Sequence, residues 1–377
     1  MLKNKDKGIT LIALVITIII LLILAGISIS ALTNQGLFKN AKIAQNATEK
    51  AEEEQGQRLN EYEDEINKYL GNSKEPFKGT TVEDAIKYND VLNTEDNTEL
   101  KDAKNNKIVV PAGFKIVEGA TTVDKGIVIE DVTETATKGS QFVWIPVGTI
   151  TKADGTTATI TLGRYSFDST TGVESAYSGS YVEEDANDAS TIQNKGNTVA
   201  KNITNFKNSV AANGGYYIGR YEARTETARS AAGNALTQIT EKGTENVYNY
   251  VTQLQASQLS QNMYNSNKFT SDLMNSYAWD TAIVFIQNCG TNAKYSRQNS
   301  LNTSLLQTGT TEDIQCNIYD MASNIREWTT ETSDISSGPC AYRGGGYNHS
   351  SIYTSSRNNG YTSSSGDYVG FRPLLYL

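Results

Sequence analysis

Residues 3–31 read KNKDKGITLIALVITIIILLILAGISISA. A basic leader, Lys3, Lys5 and Lys7 against Asp6, meets Gly8, and an apolar run then lasts from Ile9 to about Ile29. Only Thr10, Thr17, Gly26 and Ser28 interrupt it. About twenty apolar residues make a helix of roughly 30 Å, the thickness of a bilayer core. The stretch therefore reads as a tether, with the membrane as the partner of residues 9–29. A cleaved secretory signal is one form of it, although the run is long for an h-region and ends on only a weak small-x-small site, Ser28-Ile29-Ser30. A permanent single-span anchor, its lysines kept in the cytoplasm, is another.

Residues 37–70, LFKNAKIAQNATEKAEEEQGQRLNEYEDEINKYL, contain no proline. Leu59, Tyr62, Ile66, Tyr69 and Leu70 recur at helical spacing, and Glu52, Glu53, Glu54, Glu61, Glu63, Asp64 and Glu65 supply a solvated face. Continuous from Ile9, such a helix would measure about 90 Å. Its apolar spacing is not a sustained heptad, so a coiled-coil stalk is the weaker reading.

Lys7-Gly8-Ile9-Thr10-Leu11 resembles the leader of type IV pilins and type II secretion pseudopilins. In that family a prepilin peptidase cuts after the glycine and methylates the new N-terminus. The resemblance implies processing between Gly8 and Ile9, the peptidase as a partner, and other pilin subunits as neighbours. The fifth mature position, usually glutamate in the family, is Ala13. An intramembrane carboxylate is costly and normally functional. Its absence points to a minor subunit or a non-polymerising anchor rather than a bulk filament subunit.

The chain has 377 residues and a formal net charge of −9, with no basic stripe to neutralise phosphates, which argues against nucleic acid. Charged residues make up 20% and tyrosines number 21, a texture suited to an extracellular, loop-rich surface. There are three cysteines, Cys289, Cys316 and Cys340, and no CxxC. One disulfide with one free thiol, Cys316–Cys340 foremost, is set against three buried inert cysteines. His349 is the only histidine, so a multi-histidine metal site is excluded.

Residues 71–106 are polar and read as a linker with one helix near Val82–Val91. From Lys107 short β-type runs begin: KIVVPAGFKIV, GIVIEDV and QFVWIPVG. Residues 149–212 read as an insertion holding one strand-like piece, ATITLGRYSF. Helices are expected within Thr244–Ser257 and at Ser276–Asn288. The ordered set FVWIPVG (142–148), GGYYIGRYEA (214–223), SYAWDTAIVFIQ (276–287), NIYDMASNIREWT (317–329), YRGGGY (342–347) and VGFRPLL (369–375) resembles the formylglycine-generating enzyme, or sulfatase-modifying factor, family over about residues 107–377. That resemblance implies a variant of the C-type lectin fold. In the family, a cysteine pair after the RGG motif holds copper for oxidase chemistry. No cysteine follows Cys340 here, so copper and an oxidase are not expected.

YDMASNIREW is similar to the family's calcium loop. Carried over, the ligands would be Asp320, the carbonyls of Ser323 and Ile325, and Glu327, oxygen donors suited to calcium. Ser323 stands where the family has glycine.

From Arg343 to Leu377, 21 of 35 residues are Tyr, Ser, Gly or Asn, with no Lys, Glu or Cys. Paratopes use this palette because tyrosine gives rigid contact area and small polar residues adapt their hydrogen bonds. The segment resembles the variable region of diversity-generating retroelement targets, framed by RGG and GFR. Candidate contact residues are Tyr347, Asn348, His349, Ser351, Tyr353, Ser355, Asn358, Asn359, Tyr361, Ser363 and Ser365. An ordinary polar loop is the plainer reading.

The expected fold is therefore α+β: a leader (1–8), a long N-terminal membrane and stem helix (9–70), a linker (71–106) and an irregular C-type lectin-like domain (107–377). The expected function is a non-enzymatic, surface-displayed binding protein, a minor pilin-like adhesin. It would be held single-pass at the cell membrane, or in a pilus-like filament, with an extracellular head for a protein or glycan ligand. A structural subunit without its own ligand is the alternative, and a formylglycine-generating oxidase the third.

Overall fold

A computed structural model describes residues 11–34, isolated helical positions between 42 and 55, and residues 77–88, 90–133, 135–185, 202–233, 243–333, 335, 337–349 and 351–377. Gly8, Ile9 and most of the expected stem lie outside the described residues. Two compact units divide at residue 75: Met1–Glu75 and Pro76–Leu377.

The first unit contains α1, Leu11–Asn34. The long membrane and stem helix expected over residues 9–70 is not found, and among the described residues no helix is long and apolar enough to cross a membrane. The side chains described in α1 are those of residues 14–27, all exposed, covering about 21 Å at 1.5 Å per residue.

The second unit corrects the fold class further: it is mostly strand, with short helices, rather than an irregular lectin-like α+β body. The strands of its two larger sheets are β1 (Phe114–Ile116), β2 (Val128–Asp131), β3 (Gln141–Pro146), β4 (Tyr181–Val182), β5 (Gly215–Gly219), β6 (Thr270–Leu273), β7 (Arg326–Ser333), β8 (Cys340–Arg343), β9 (Arg357–Gly360), β10 (Val369–Phe371) and β11 (Pro373–Tyr376). One sheet has the order β6-β11-β5-β3-β2-β1, antiparallel throughout. The other runs β4-β7-β8-β9, with β10 parallel to β7 on the edge opposite β8. Among the described residues, four short α-helices accompany them: α2 (Val82–Tyr88), α3 (Ile203–Asn213), α4 (Gln253–Gln261) and α5 (Ser276–Cys289).

Residues 77–106, read as linker, belong to this unit. They supply α2 and a strand, Thr98–Lys101, that pairs with Lys107–Val110, and Val82, Ala85, Leu92 and Leu100 are buried. Polar composition hid them, because only every third or fourth residue faces the core. The described part of 149–212 forms two hairpins, Gly148–Thr151 with Thr157–Ile160 and Tyr165–Phe167 with Glu174–Ala176, followed by α3.

The large sheet is buried on both faces at its centre, where every residue of β3 and β5 is inaccessible. Adjacent tyrosines of β5 point to opposite sides, as strand geometry requires. Tyr216 donates to the Ala278 carbonyl of α5 (2.7 Å) and packs edge-on against Phe206 of α3. Tyr217 donates to the Val109 carbonyl (2.9 Å) and packs on Trp144. Helix starts are capped: Asn202 and Asn275 accept from the third backbone N–H beyond, and Thr252 forms a capping box with Gln255.

The two sheets are joined at Arg372, the one residue between β10 and β11. Its buried guanidinium pairs with Glu327 of β7 (2.7 Å) and donates to the carbonyls of Gly219 (2.8 Å) and Tyr319 (2.7 Å). Removing one partner of a buried pair leaves the other uncompensated. Arg372→Met is therefore expected to cost about 3–5 kcal/mol, read from the urea midpoint, with Glu327→Gln in the same chain recovering part. An unchanged midpoint for the single variant contradicts this role.

Candidate functional site

Behind the small sheet lies a buried ion network. Asp280 of α5 and Glu331 of β7 are both fully buried. Arg343 bonds Asp280 (2.5 Å) and Glu331 (3.4 Å). Arg357 bonds the second Asp280 oxygen and Glu331 (2.9 Å), and Arg164 bonds Glu331 (2.7 Å). The ring of Tyr177 lies 4.0 Å from the Arg357 guanidinium and 4.7 Å from that of Arg164. Burial works to raise the Glu331 carboxyl, but the three arginines outweigh it and hold the group below its ordinary range. Glu183 is held by neutral hydrogen bonds instead. It accepts from the Ser276 N–H (2.8 Å) and Thr330 Oγ1 (2.7 Å), and burial, aided by the charge of Glu331, raises it to about 7.

Strand register carries this network to the opposite face. Glu327, Arg343 and Arg357 are cross-strand neighbours, as are Trp328, Tyr342 and Asn358 one residue along. Successive side chains alternate, so the arginines point inward and the second row lies on the other face. There Arg326, 5% exposed, lies against the rings of Tyr342 (5.3 Å) and Tyr368 (5.5 Å). It donates to Tyr342 Oη (3.3 Å) and Asn348 Oδ1 (3.4 Å). Tyr347 and Asn348 form the tip of a turn closed by the Gly346–His349 bridge. The Tyr347 N–H donates to the Asn324 carbonyl, and its hydroxyl to Asp367 (2.8 Å).

The eleven candidate contact residues thus separate. Tyr347, Asn348 and Asn358 gather around Arg326, with exposed His349 beside them in the turn. Tyr353 lies 3.5 Å over the Arg297 guanidinium, and the Ser355 N–H bonds the Ser296 carbonyl (3.2 Å). Tyr361, Ser363 and Ser365 belong to a turn in which Tyr361 and Ser364 exchange hydrogen bonds. Ser351 and Asn359 are exposed. Sequence reading missed Arg326, Tyr342, Asp367 and Tyr368. The period-2 pattern through Arg326-Glu327-Trp328 was the available signal for the first.

Of the expected calcium ligands, the two carboxylates have partners: Asp320 accepts from the Gly309 N–H (2.8 Å) and from Thr311 Oγ1, and Glu327 is paired with Arg372. Beside the expected carbonyl donors of Ser323 and Ile325, Ser323 Oγ accepts from the Leu301 N–H (3.0 Å) and the Ile325 N–H donates to Glu222 (3.2 Å). Among the described residues, no group of three or more His, Cys, Asp or Glu side chains is placed to hold a metal ion. Burial raises Asp320 to about 6.

Comparison with protein-family models, curated proteins and solved structures returns no match.

The raised carboxyls give stability a sign with pH. Between the ordinary glutamate value of 4.5 and about 7, folded Glu183 keeps a proton that the unfolded chain has lost. Stability therefore falls as pH rises through that window, and Asp320 adds in the same direction. Glu183→Gln is expected to flatten the dependence of the melting temperature between pH 5 and 7, measured by calorimetry at about half-unit steps. Parallel curves for wild type and variant rule Glu183 out as the source.

Proposed function

We propose that this chain is a non-enzymatic, surface-displayed binding protein, a minor pilin-like adhesin whose ligand is a protein or glycan. The observation that carries the reading is the tyrosine-rich face around Arg326, mounted on strands whose reverse side is fixed by Arg343 and Arg357. Recognition surfaces need contact side chains held on rigid elements, and tyrosine provides area at small entropic cost. The RGG and GFR frame supports the same reading. Arg343 and Arg372 do the pairing, while Tyr347, Asn348, His349 and Tyr361 between them stay accessible.

The apolar segment 9–29 would hold the protein at the cell membrane, with the head outside. Prepilin peptidase would process the chain between Gly8 and Ile9, and other pilin subunits would be its neighbours in a pilus-like filament.

The full chain in detergent, applied to glycan and protein arrays, is expected to bind a defined ligand class. Tyr347→Ala with Asn348→Ala should weaken that binding about 30-fold or more while moving the melting temperature by no more than about 2 °C. Failure to bind any array member leaves the structural-subunit reading in its place. Intact mass of the membrane-extracted protein should begin at methylated Ile9, and retention of residues 1–8 overturns the processing claim.

A further inference from the structure

The three cysteines sit in two places. Cys340 of β8 is buried in the smaller core cluster with Leu273, Trp328 and Phe371. Cys289 ends α5, and Cys316 opens the turn between the paired strands Ile314–Gln315 and Ile318–Tyr319. Both are half-buried at the margin of the main core. The expected Cys316–Cys340 pairing is therefore not supported.

The segments carrying Cys289 and Cys316 are stitched together. The Thr291 N–H (2.9 Å) and hydroxyl (3.1 Å) both donate to Gln315 Oε1. Gly290, next to Cys289, faces the second thiol: a Cβ added there would lie 3.5 Å from Cys316 Sγ. Cys316 is also held in a costly backbone conformation. Its φ is +48° and that of Asn317 is +62°, the sign pattern of a type I′ turn, in which asparagine and glycine are the usual residues. Asn317 Nδ2 fixes the turn through the carbonyls of Lys125 (3.2 Å) and Gly126 (2.8 Å). Gly126 leaves no room for a side chain against the Cys316 carbonyl. A cysteine kept where its backbone is strained, beside a second cysteine, points to a use for the thiol.

We propose that Cys289 and Cys316 form a disulfide during folding, joining the end of α5 to the 314–319 hairpin and leaving Cys340 as a thiol. The inference stands on this geometry and is independent of the ligand-binding reading. The oxidant is an exchangeable disulfide of the glutathione or thiol–disulfide oxidoreductase class. One cysteine thiolate attacks it and expels a thiolate, giving a mixed disulfide, and the second cysteine thiolate then displaces the remaining half. Two electrons and two protons leave the cysteines, and the oxidant departs as two thiols. Burial pushes the Cys289 thiol up to about 12 and raises Cys316 as well, so exchange belongs to a stage before the site closes. The cross-link would then constrain the 27-residue separation between the two positions in the unfolded chain.

The test refolds the full chain in reduced and oxidised glutathione, alkylates free thiols under denaturing conditions, and maps the peptides without reduction. A peptide linking Cys289 to Cys316, with Cys340 alkylated, is expected. Reduction should lower the melting temperature by about 5 °C. Cys289→Ser should lose both the cross-link and the response to reduction, and Cys340→Ser should keep both. Alkylation of all three cysteines in the refolded wild type, or any linkage that includes Cys340, overturns the proposal.

Discussion

A charge is costly to bury without its opposite beside it, and this fold sets fully buried Arg343 and the largely buried Arg164 and Arg357 around two buried carboxylates. Asp280 arrives on α5, Glu331 on β7, Arg343 on β8, Arg357 on β9 and Arg164 from the loop ahead of a hairpin. Each ion comes from a different element, so the network is satisfied only when all five are in place. Its contribution is better understood as specification of one arrangement than as net stabilisation, since desolvation offsets much of the Coulomb gain. Arg372 and Glu327 repeat the device where the two sheets meet.

The candidate surface and the ion network divide along the strand pleat. In β7, Glu327 and Glu331 point to the ion network side, whereas Arg326 and Trp328 look the other way. The same strand therefore anchors the scaffold and floors the candidate surface. Polar side chains at the Tyr347–Asn348 tip contact this floor through two hydrogen bonds to Arg326 and Asp367, so they are oriented without being buried.

Much of the second unit was legible from residue pattern. The apolar runs at 107–110, 142–146 and 215–219 are strands, and the helix over Ser276–Cys289 follows its aromatic and aliphatic spacing. The arginines of the RGG and GFR motifs are paired, architectural groups. Three things escaped. Residues 77–106 carry too few apolar side chains to signal a packed hairpin, although Leu100 and Ile108 are fully inside. The partners of Asp320 and Glu327, namely the Gly309 N–H, Thr311 and Arg372, lie outside the motif that carries these carboxylates. The Arg326 surface is assembled from residues 326, 342, 347, 348, 367 and 368, which no local spacing brings together.

The position of β11 has an evolutionary consequence. The final strand lies inside the large sheet, between β6 and β5, and the chain reaches it only after passing through the tyrosine-rich segment and Arg372. A frameshift or premature stop anywhere in that segment removes an interior strand and the residue joining the sheets. Missense change at the exposed tips leaves both intact. Loss of the reading frame there therefore forfeits the core, whatever the exposed tips contribute.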